Sequence, residues 1–245
     1  FGNPEKPDIM GQFVGCIEGM KEACETLDFP VVSGNVSLYN ETQGAAVLPT
    51  PAIGGVGLVD DYARTAAPAF RAEAETIVLV GETAGHLGQS LYLREIEGRE
   101  DGSPPSVDLA AEKRNGGFVR ELIVSGKVSA CNDVSDGGVL VSVAEMALKG
   151  GVGATIQVPD GGQGGQGDNP PAHAWLFGED QGRYIVTTDD AESLLEAAEK
   201  AGVPAIQIGI TGGEGLSLLG GAGETALDAL RDANEGWLPE FMAGA

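Results

Sequence analysis

Basic residues are scarce in this chain. Its 245 residues carry 14 Lys and Arg against 37 Asp and Glu, a formal charge of −23. Nucleic acid calls for clustered Lys and Arg against its phosphates, so this balance argues against a nucleic-acid partner. Histidine and cysteine are scarcer still, at two and three. His86 and His173 have no Ser or Cys partner at a recognisable spacing, which leaves a nucleophilic triad unsupported and favours solvated or core imidazoles. Cys16, Cys24 and Cys131 lack metal-ligand spacing; the first two fall on an expected helix and read as small core hydrophobes in a reducing cytoplasm. No run of 18 apolar residues exists and no signal peptide is visible, so the reading is cytoplasmic, with no membrane partner. The first residue is Phe1 rather than Met, from which the chain is expected to be a piece of a longer polypeptide.

A hydrophobic content of 42 % with 39 glycines suits a globular α/β protein rich in turns. Apolar side chains at Met10, Phe13, Val14, Ile17, Met20, Cys24 and Leu27 recur every three or four residues, an amphipathic helix entered through Lys6-Pro7-Asp8. A strand is expected over 30–37, then a polar hairpin, then a strand over 53–59. Residues 60–75 lack periodicity and serve as a connector at a domain boundary. Beyond it, strands are expected at 76–80, 153–158, 183–188 and 205–211. Helices are expected at 85–96, 107–124, 139–150, 190–201 and 224–235. The glycine-rich run 160–171 has nothing to bury and ends in Pro170-Pro171, unlike a phosphate loop that feeds a helix; it reads as a mobile surface insertion.

Three places could carry chemistry. In Pro30-Val-Val-Ser-Gly-Asn-Val-Ser-Leu-Tyr-Asn-Glu-Thr42, Gly34 lets backbone approach a ligand, while Asn35 and Ser37 would share one side of a strand. An amide oxygen suits a hard cation and a hydroxyl suits an oxyanion, so this is a phosphate–magnesium edge or simply a buried strand leaving through a hairpin. Asp133 and Asp136 precede a helix; Asp136 reads mainly as its cap, and Asp133 as either a structural acid or a second nucleotide or metal site. In Phe177-Gly-Glu-Asp-Gln-Gly-Arg-Tyr184, Glu179 and Asp180 form an acidic turn that needs no ligand, and Arg183 could pair with them or meet a phosphate. Lys6 and Lys21 are further possible phosphate contacts, although Lys21 lies on the solvated side of its helix.

Phe1-Gly-Asn-Pro-Glu-Lys6, residues 33–42, Pro49-Thr-Pro51 and Ile53-Gly-Gly-Val-Gly57, followed in order by Asn132-Asp-Val-Ser-Asp-Gly-Gly138 and residues 177–184, resemble the phosphoribosylformylglycinamidine synthase family. Specifically, the chain looks like the large synthetase subunit of the multi-subunit bacterial form, over residues 1 to about 220. The resemblance implies an α/β chain of the α+β type. Residues 1–66 would be the remainder of a sheet-forming synthetase N-domain in the second of two tandem copies. Residues 72–222 would be a complete synthetase C-terminal domain, and 223–245 a helix and tail. It implies an ATP-dependent carbon–nitrogen ligase of purine biosynthesis. That enzyme activates the amide of formylglycinamide ribonucleotide as an iminophosphate, which ammonia from glutamine then displaces.

By the same resemblance Gly34 would contact ATP, Asn35 would ligate Mg²⁺ and Ser37 would touch the ribonucleotide. The implied partners are a glutaminase subunit, a small adaptor subunit and the missing N-terminal half of the same chain, which carries the family's catalytic histidine. The fragment is therefore expected to be inactive alone. A non-catalytic nucleotide-binding or subunit-docking module stands as the alternative, with Asp133 as the discriminating residue. A small-molecule kinase of the same superfamily fits the 33–42 motif less well.

Overall fold

The structure, a computed structural model, describes residues 1–159, 170–221 and 223–244. Most of the expected insertion at 160–171 lies outside them. The chain divides into two compact units, Phe1–Asp60 and Asp61–Ala245.

In the first unit, α1 (Pro7–Leu27) opens on a proline at its first position and closes at Asp28 in the left-handed region (φ 55°). Ile9 is its buried residue, and Phe13 meets the Phe1 ring edge-on at 5.1 Å. Strands β1 (Glu41–Thr42) and β2 (Ala45–Ala46) form a hairpin across Gln43-Gly44, both at positive φ as a two-residue turn of the primed kind requires. The expected strands at 30–37 and 53–59 are absent from the structure. Val31, Val32, Val36, Ile53, Val56 and Leu58 are exposed instead. A strand needs a neighbour to hydrogen-bond and a layer to cover its apolar face. Among the described residues, this unit offers only one helix and a hairpin of two-residue strands.

The second unit runs β3 (Thr76–Val80), α2 (Leu91–Glu95), α3 (Leu109–Val124), β4 (Ala130–Asp133), α4 (Gly138–Gly150), β5 (Ala154–Ile156) and α5 (Ala172–Phe177). It continues with β6 (Tyr184–Thr188), α6 (Ala191–Ala201), β7 (Ala205–Thr211), β8 (Gly215–Leu218), β9 (Glu224–Ala226) and α7 (Leu227–Ala243). The seven strands make one mixed sheet in the order β4-β6-β3-β7-β5-β8-β9, antiparallel throughout except for the β5–β8 pair.

Central β3 explains the layering. Successive side chains on a strand face opposite ways, so a strand covered on both sides reads as an unbroken apolar run. Ile77 and Leu79 face a core shared with Val143, Met146 and Trp175 of α4 and α5. Val78 and Val80 face a second core, with Val119 and Leu122 of α3 and Leu194 of α6. All four β3 side chains are fully buried, and burying each contributes roughly 1.5–3 kcal/mol. The helices at 107–124 and 85–96 start later than the sequence suggests. Asp108 caps α3 by accepting from Ala110 N (3.0 Å) and Ala111 N (2.9 Å), and Ser90 caps α2 by accepting from Leu93 N (3.3 Å). Among the described residues, no helix is long and apolar enough to cross a membrane.

Candidate functional site

The 33–42 segment is held by the first residues of the chain. The Phe1 nitrogen donates to Ser37 O (3.0 Å), Tyr39 N to Gly2 O (2.9 Å) and Asn40 N to Phe1 O (3.1 Å). The Asn40 amide nitrogen also donates to Phe1 O (3.2 Å) and to Ser37 Oγ (3.0 Å), which fixes the hydroxyl in place. Gly34 and Asn35 are exposed, and a Cβ on Gly34 would meet nothing within 4 Å. Gly34 is thus open to close approach, and Asn35 presents an amide oxygen to solvent. Lys6 is spent inside the unit: its ammonium binds Glu41 at 2.6 Å, and that hydrogen bond holds the Glu41 carboxyl below its ordinary range. Lys21 is exposed and pairs loosely with Glu25 (3.9 Å). Cys16 and Cys24 are half-buried rather than core residues.

In the second unit, residues 177–184 form a structural hub. Glu179 Oε1 accepts from Leu91 N (2.9 Å), at the start of α2, and from Gly137 N (2.8 Å), at the cap of α4. Asp180 accepts from Gly85 N (2.9 Å) and His86 N (3.3 Å). Arg183 is buried with every nitrogen engaged: Nε donates to Asp180 O (3.0 Å), Nη1 to Thr83 Oγ1 (3.1 Å) and Nη2 to Gly178 O (2.7 Å). Full burial and an ion pair with Asp180 (Nη1 to Oδ2, 3.8 Å) keep the guanidinium inside the hub rather than presented to a phosphate.

Asp136 does not cap α4. The N-cap is Gly137, at φ +78°, which has no side chain to offer, and the acceptor arrives from Glu179 instead. Sequence reasoning missed this role. Glu179 lies 88 residues from Leu91 and 42 from Gly137 along the chain, and no local spacing signals such a contact.

Asp133 is the last residue of β4, exposed, with its backbone oxygen accepting from Ser142 Oγ (3.2 Å). It pairs across the ladder with Tyr184. The Tyr184 hydroxyl donates to Glu112 Oε1 (2.7 Å); burial and that carboxylate push its pKa up. Burial likewise raises the Cys131 thiol to about 11. His173 stacks on Tyr92 (5.6 Å), and His86 Nε2 lies 2.8 Å from Ser103 O, ahead of α2 rather than on it. A cleft of about 500 Å³ lies beside this hub, bordered by Glu82, Gly85, His86, Ser106, Asp180 and Gln181. With two carboxylates and neither Lys nor Arg along its walls, it is a poor host for phosphate.

Gly34, Asn35 and Ser37 lie on one segment of the first unit, but without the strand that would have turned Asn35 and Ser37 to one side, and Asp133 lies on the second unit. Among the described residues no three His, Cys, Asp or Glu side chains converge to hold a metal ion. Mg²⁺ commonly takes one or two protein ligands, completing its shell with phosphate oxygens and water. Asn35 fits the part of a single contributed ligand.

Two family models match the chain: AIR synthase related protein, N-terminal domain, over residues 1–59, and AIR synthase related protein, C-terminal domain, over residues 73–219. The sequence is 58 % identical to the phosphoribosylformylglycinamidine synthase subunit PurL of Parvibaculum lavamentivorans, across 99 % of this chain and 32 % of that protein. It is also 58 % identical to the subunit of the same name from Methylocella silvestris, across 100 % of this chain and 32 % of that one. The chain thus spans about a third of the length of these curated relatives. Among solved structures, T. maritima PurL complexed with FGAR matches with a TM-score of 0.56 at 21 % identity, covering 68 % of this chain and 29 % of that one. PurLQS from Thermotoga maritima matches at 0.52 and 21 % identity, over 68 % and 27 %. At those identities the likeness speaks for the fold alone.

Proposed function

This chain belongs to the AIR synthase related protein family, and from that premise we propose that it is the C-terminal part of an ATP-dependent carbon–nitrogen ligase. The full enzyme would convert formylglycinamide ribonucleotide, ATP and glutamine-derived ammonia to formylglycinamidine ribonucleotide, ADP and phosphate, in the cytoplasm, as a step of purine biosynthesis. The observation that carries this reading is the 58 % identity, along essentially the whole chain, to subunits named for that activity. Residues 1–66 would be the remainder of one synthetase domain, 72–222 a complete second domain, and 223–245 its helix and tail. A glutaminase subunit and a small adaptor would complete the assembly, as the name PurLQS suggests for the Thermotoga complex.

Within this reading the 33–42 segment forms one edge of the active site. Gly34 admits the nucleotide against bare backbone, and the Ser37 hydroxyl, oriented by Asn40, meets the ribonucleotide. Asn35 would hold Mg²⁺, which when bound supplies positive charge against the phosphates of ATP. The residue is exposed, which leaves the amide oxygen open to an ion. Positioning and electrostatic stabilisation are most of what phosphoryl transfer asks of a protein. The general acids and bases of the reaction would come from outside this chain.

The test is calorimetric titration of MgATP into the full-length subunit, beside Asn35→Ala and Asp133→Ala. Loss of about 10-fold or more in affinity with Asn35→Ala alone is the expected outcome, in line with removing a metal ligand or its support. Loss with Asp133→Ala alone would move the nucleotide to the second unit and overturn the assignment of Asn35. The 245-residue chain by itself is expected to form no amidine from ATP and ammonia.

A further inference from the structure

The Ser37 hydroxyl and the Asn40 amide form a pair whose polarity can be read from their neighbours. Asn40 Nδ2 lies 3.0 Å from Ser37 Oγ and 3.2 Å from Phe1 O, while Asn40 Oδ1 lies 3.2 Å from Ser37 Oγ. Phe1 decides which way round the amide sits. A backbone carbonyl only accepts, so the group facing it is the NH₂; the reverse orientation would set two oxygens against each other. The same NH₂ carries a second hydrogen, and its other partner is Ser37 Oγ. Asn40 therefore donates to the hydroxyl and fills one of its two acceptor positions. The hydroxyl's own proton is left to Asn40 Oδ1, at the longer 3.2 Å, or to a ligand.

Asn40 is itself anchored on both sides, and Ser37 is open to solvent. Asn40 is half-buried, its N–H donates to Phe1 O (3.1 Å), and Val47 N donates to Asn40 O (3.1 Å) from beyond β2. Tyr39, next to it, holds φ 60°, a left-handed conformation that bulky residues rarely adopt, with its N–H on Gly2 O (2.9 Å). Backbone held in this way persists only where the surroundings over-determine it, and such residues cluster at ligand-binding positions. The exposed hydroxyl is thus presented by a neighbour that cannot easily move away from it.

We propose that Asn40 is a positioning residue for the ribonucleotide: by donating to Ser37 Oγ, it makes that hydroxyl a donor aimed at an acceptor oxygen of the substrate. This rests on the functional reading above and gives the Ser37 contact a direction. In the free protein the hydroxyl proton rests on Asn40 Oδ1. When substrate binds, the O–H rotates about the Cβ–Oγ bond to the substrate oxygen, and the contact from Nδ2 stays in place. Accepting that bond polarises the hydroxyl, which strengthens the one it donates. Asn40 acts through Ser37 and does not itself touch the substrate.

The experiment uses the full-length subunit with Ser37→Ala, Asn40→Ala, the double variant and Asn40→Asp. Calorimetry measures affinity for formylglycinamide ribonucleotide and for MgATP, and turnover with ammonia gives KM and kcat. Ser37→Ala should weaken ribonucleotide binding about 10-fold, the loss of one well-made hydrogen bond. Asn40→Ala should weaken it about 5-fold, entirely in KM, with kcat and MgATP affinity within about 2-fold of the parent. The double variant should be no weaker than Ser37→Ala, because the two residues act as one unit. Asn40→Asp keeps the size and an acceptor but has no N–H, and should be at least as weak as Asn40→Ala. Parental ribonucleotide affinity in Asn40→Ala or Asn40→Asp would overturn the proposal. So would losses that multiply in the double variant, or an equal loss of MgATP affinity, either of which would make Asn40 a structural support of the whole segment. Parental affinity in Ser37→Ala would remove Ser37 from the substrate contacts, and the role of Asn40 would fall with it. Failure of the unsubstituted subunit to bind the ribonucleotide would overturn the ligase reading itself.

Discussion

Glu179 joins two helix starts with one oxygen, and its removal should be felt at both. Glu179→Ala leaves Leu91 N and Gly137 N without their acceptor, in positions only partly open to water. A hydrogen bond to a charged acceptor contributes about 1.5–3 kcal/mol, and partial exposure favours the low end, so the pair comes to about 3 kcal/mol. Glu179→Gln retains a carbonyl oxygen that can accept from both amides. It forfeits the negative charge at the α4 N-terminus, about 1 kcal/mol. For a unit in the range of roughly 150–250 residues, each kcal/mol moves Tm by about 2–4 °C, giving about 6–12 °C for Ala and about 2–4 °C for Gln. Urea unfolding of the 245-residue chain, followed by circular dichroism, measures both, with an unchanged m-value confirming that stability rather than compactness has altered. An Ala variant within about 0.5 kcal/mol of the parent would refute the bridging argument. A Gln variant as damaged as Ala would refute the division between hydrogen bonding and charge.

Two other perturbations probe the same unit. Arg183→Lys should cost about 3 kcal/mol or more, because a single ammonium cannot reach Asp180 O, Thr83 Oγ1 and Gly178 O together; a Lys variant of parental stability would show that the fork geometry is dispensable. Cys131 gives a pH signature. With its thiol raised from 9.0 to about 11, the folded chain keeps a proton that the unfolded chain has lost, so stability falls as pH rises through that interval. At about 1.4 kcal/mol per pH unit, this amounts to about 2–3 kcal/mol by pH 11. Denaturant midpoints from pH 8 to 11 should drop more steeply for the parent than for Cys131→Ala, and parallel curves would contradict the buried thiol.

Much of the second unit was legible because its signals are local. The run Thr76-Ile-Val-Leu-Val80 is apolar at every position after the first because both faces of β3 are covered, and α6 ends at Gly202 in the left-handed region, as a helix stop should. β4, β8 and β9 escaped notice. They are three- or four-residue strands whose character comes from partners such as Thr187 or Leu216 rather than from their own composition. The first unit misled for the converse reason: Pro30-Val-Val and Ile53-Gly-Gly-Val have strand composition, but no neighbouring strand among the described residues completes a ladder. The candidate site divides the same way. Gly34, Asn35 and Ser37 stand together because they are close in sequence. The Glu179 bridge depends on the fold bringing distant amides to one carboxylate, and the Asp136 cap failed because Gly137 turned the chain away from it.

The strand order also bears on how this protein emerges from the ribosome. β3 sits between β6 and β7, so Thr76 has neither ladder partner until Thr188 and Ile210 have been made. At about 5–20 residues per second, the roughly 110 residues between Thr76 and Thr188 leave an apolar, unpaired strand waiting for about 5–20 s. That interval is long compared with hydrophobic collapse, and long-range pairing of this kind folds slowly. The five residues that anchor the finished sheet are thus, during synthesis, the segment most in need of chaperone cover. A substitution that slows translation between α3 and β6 would lengthen that exposure without altering a single contact in the native state.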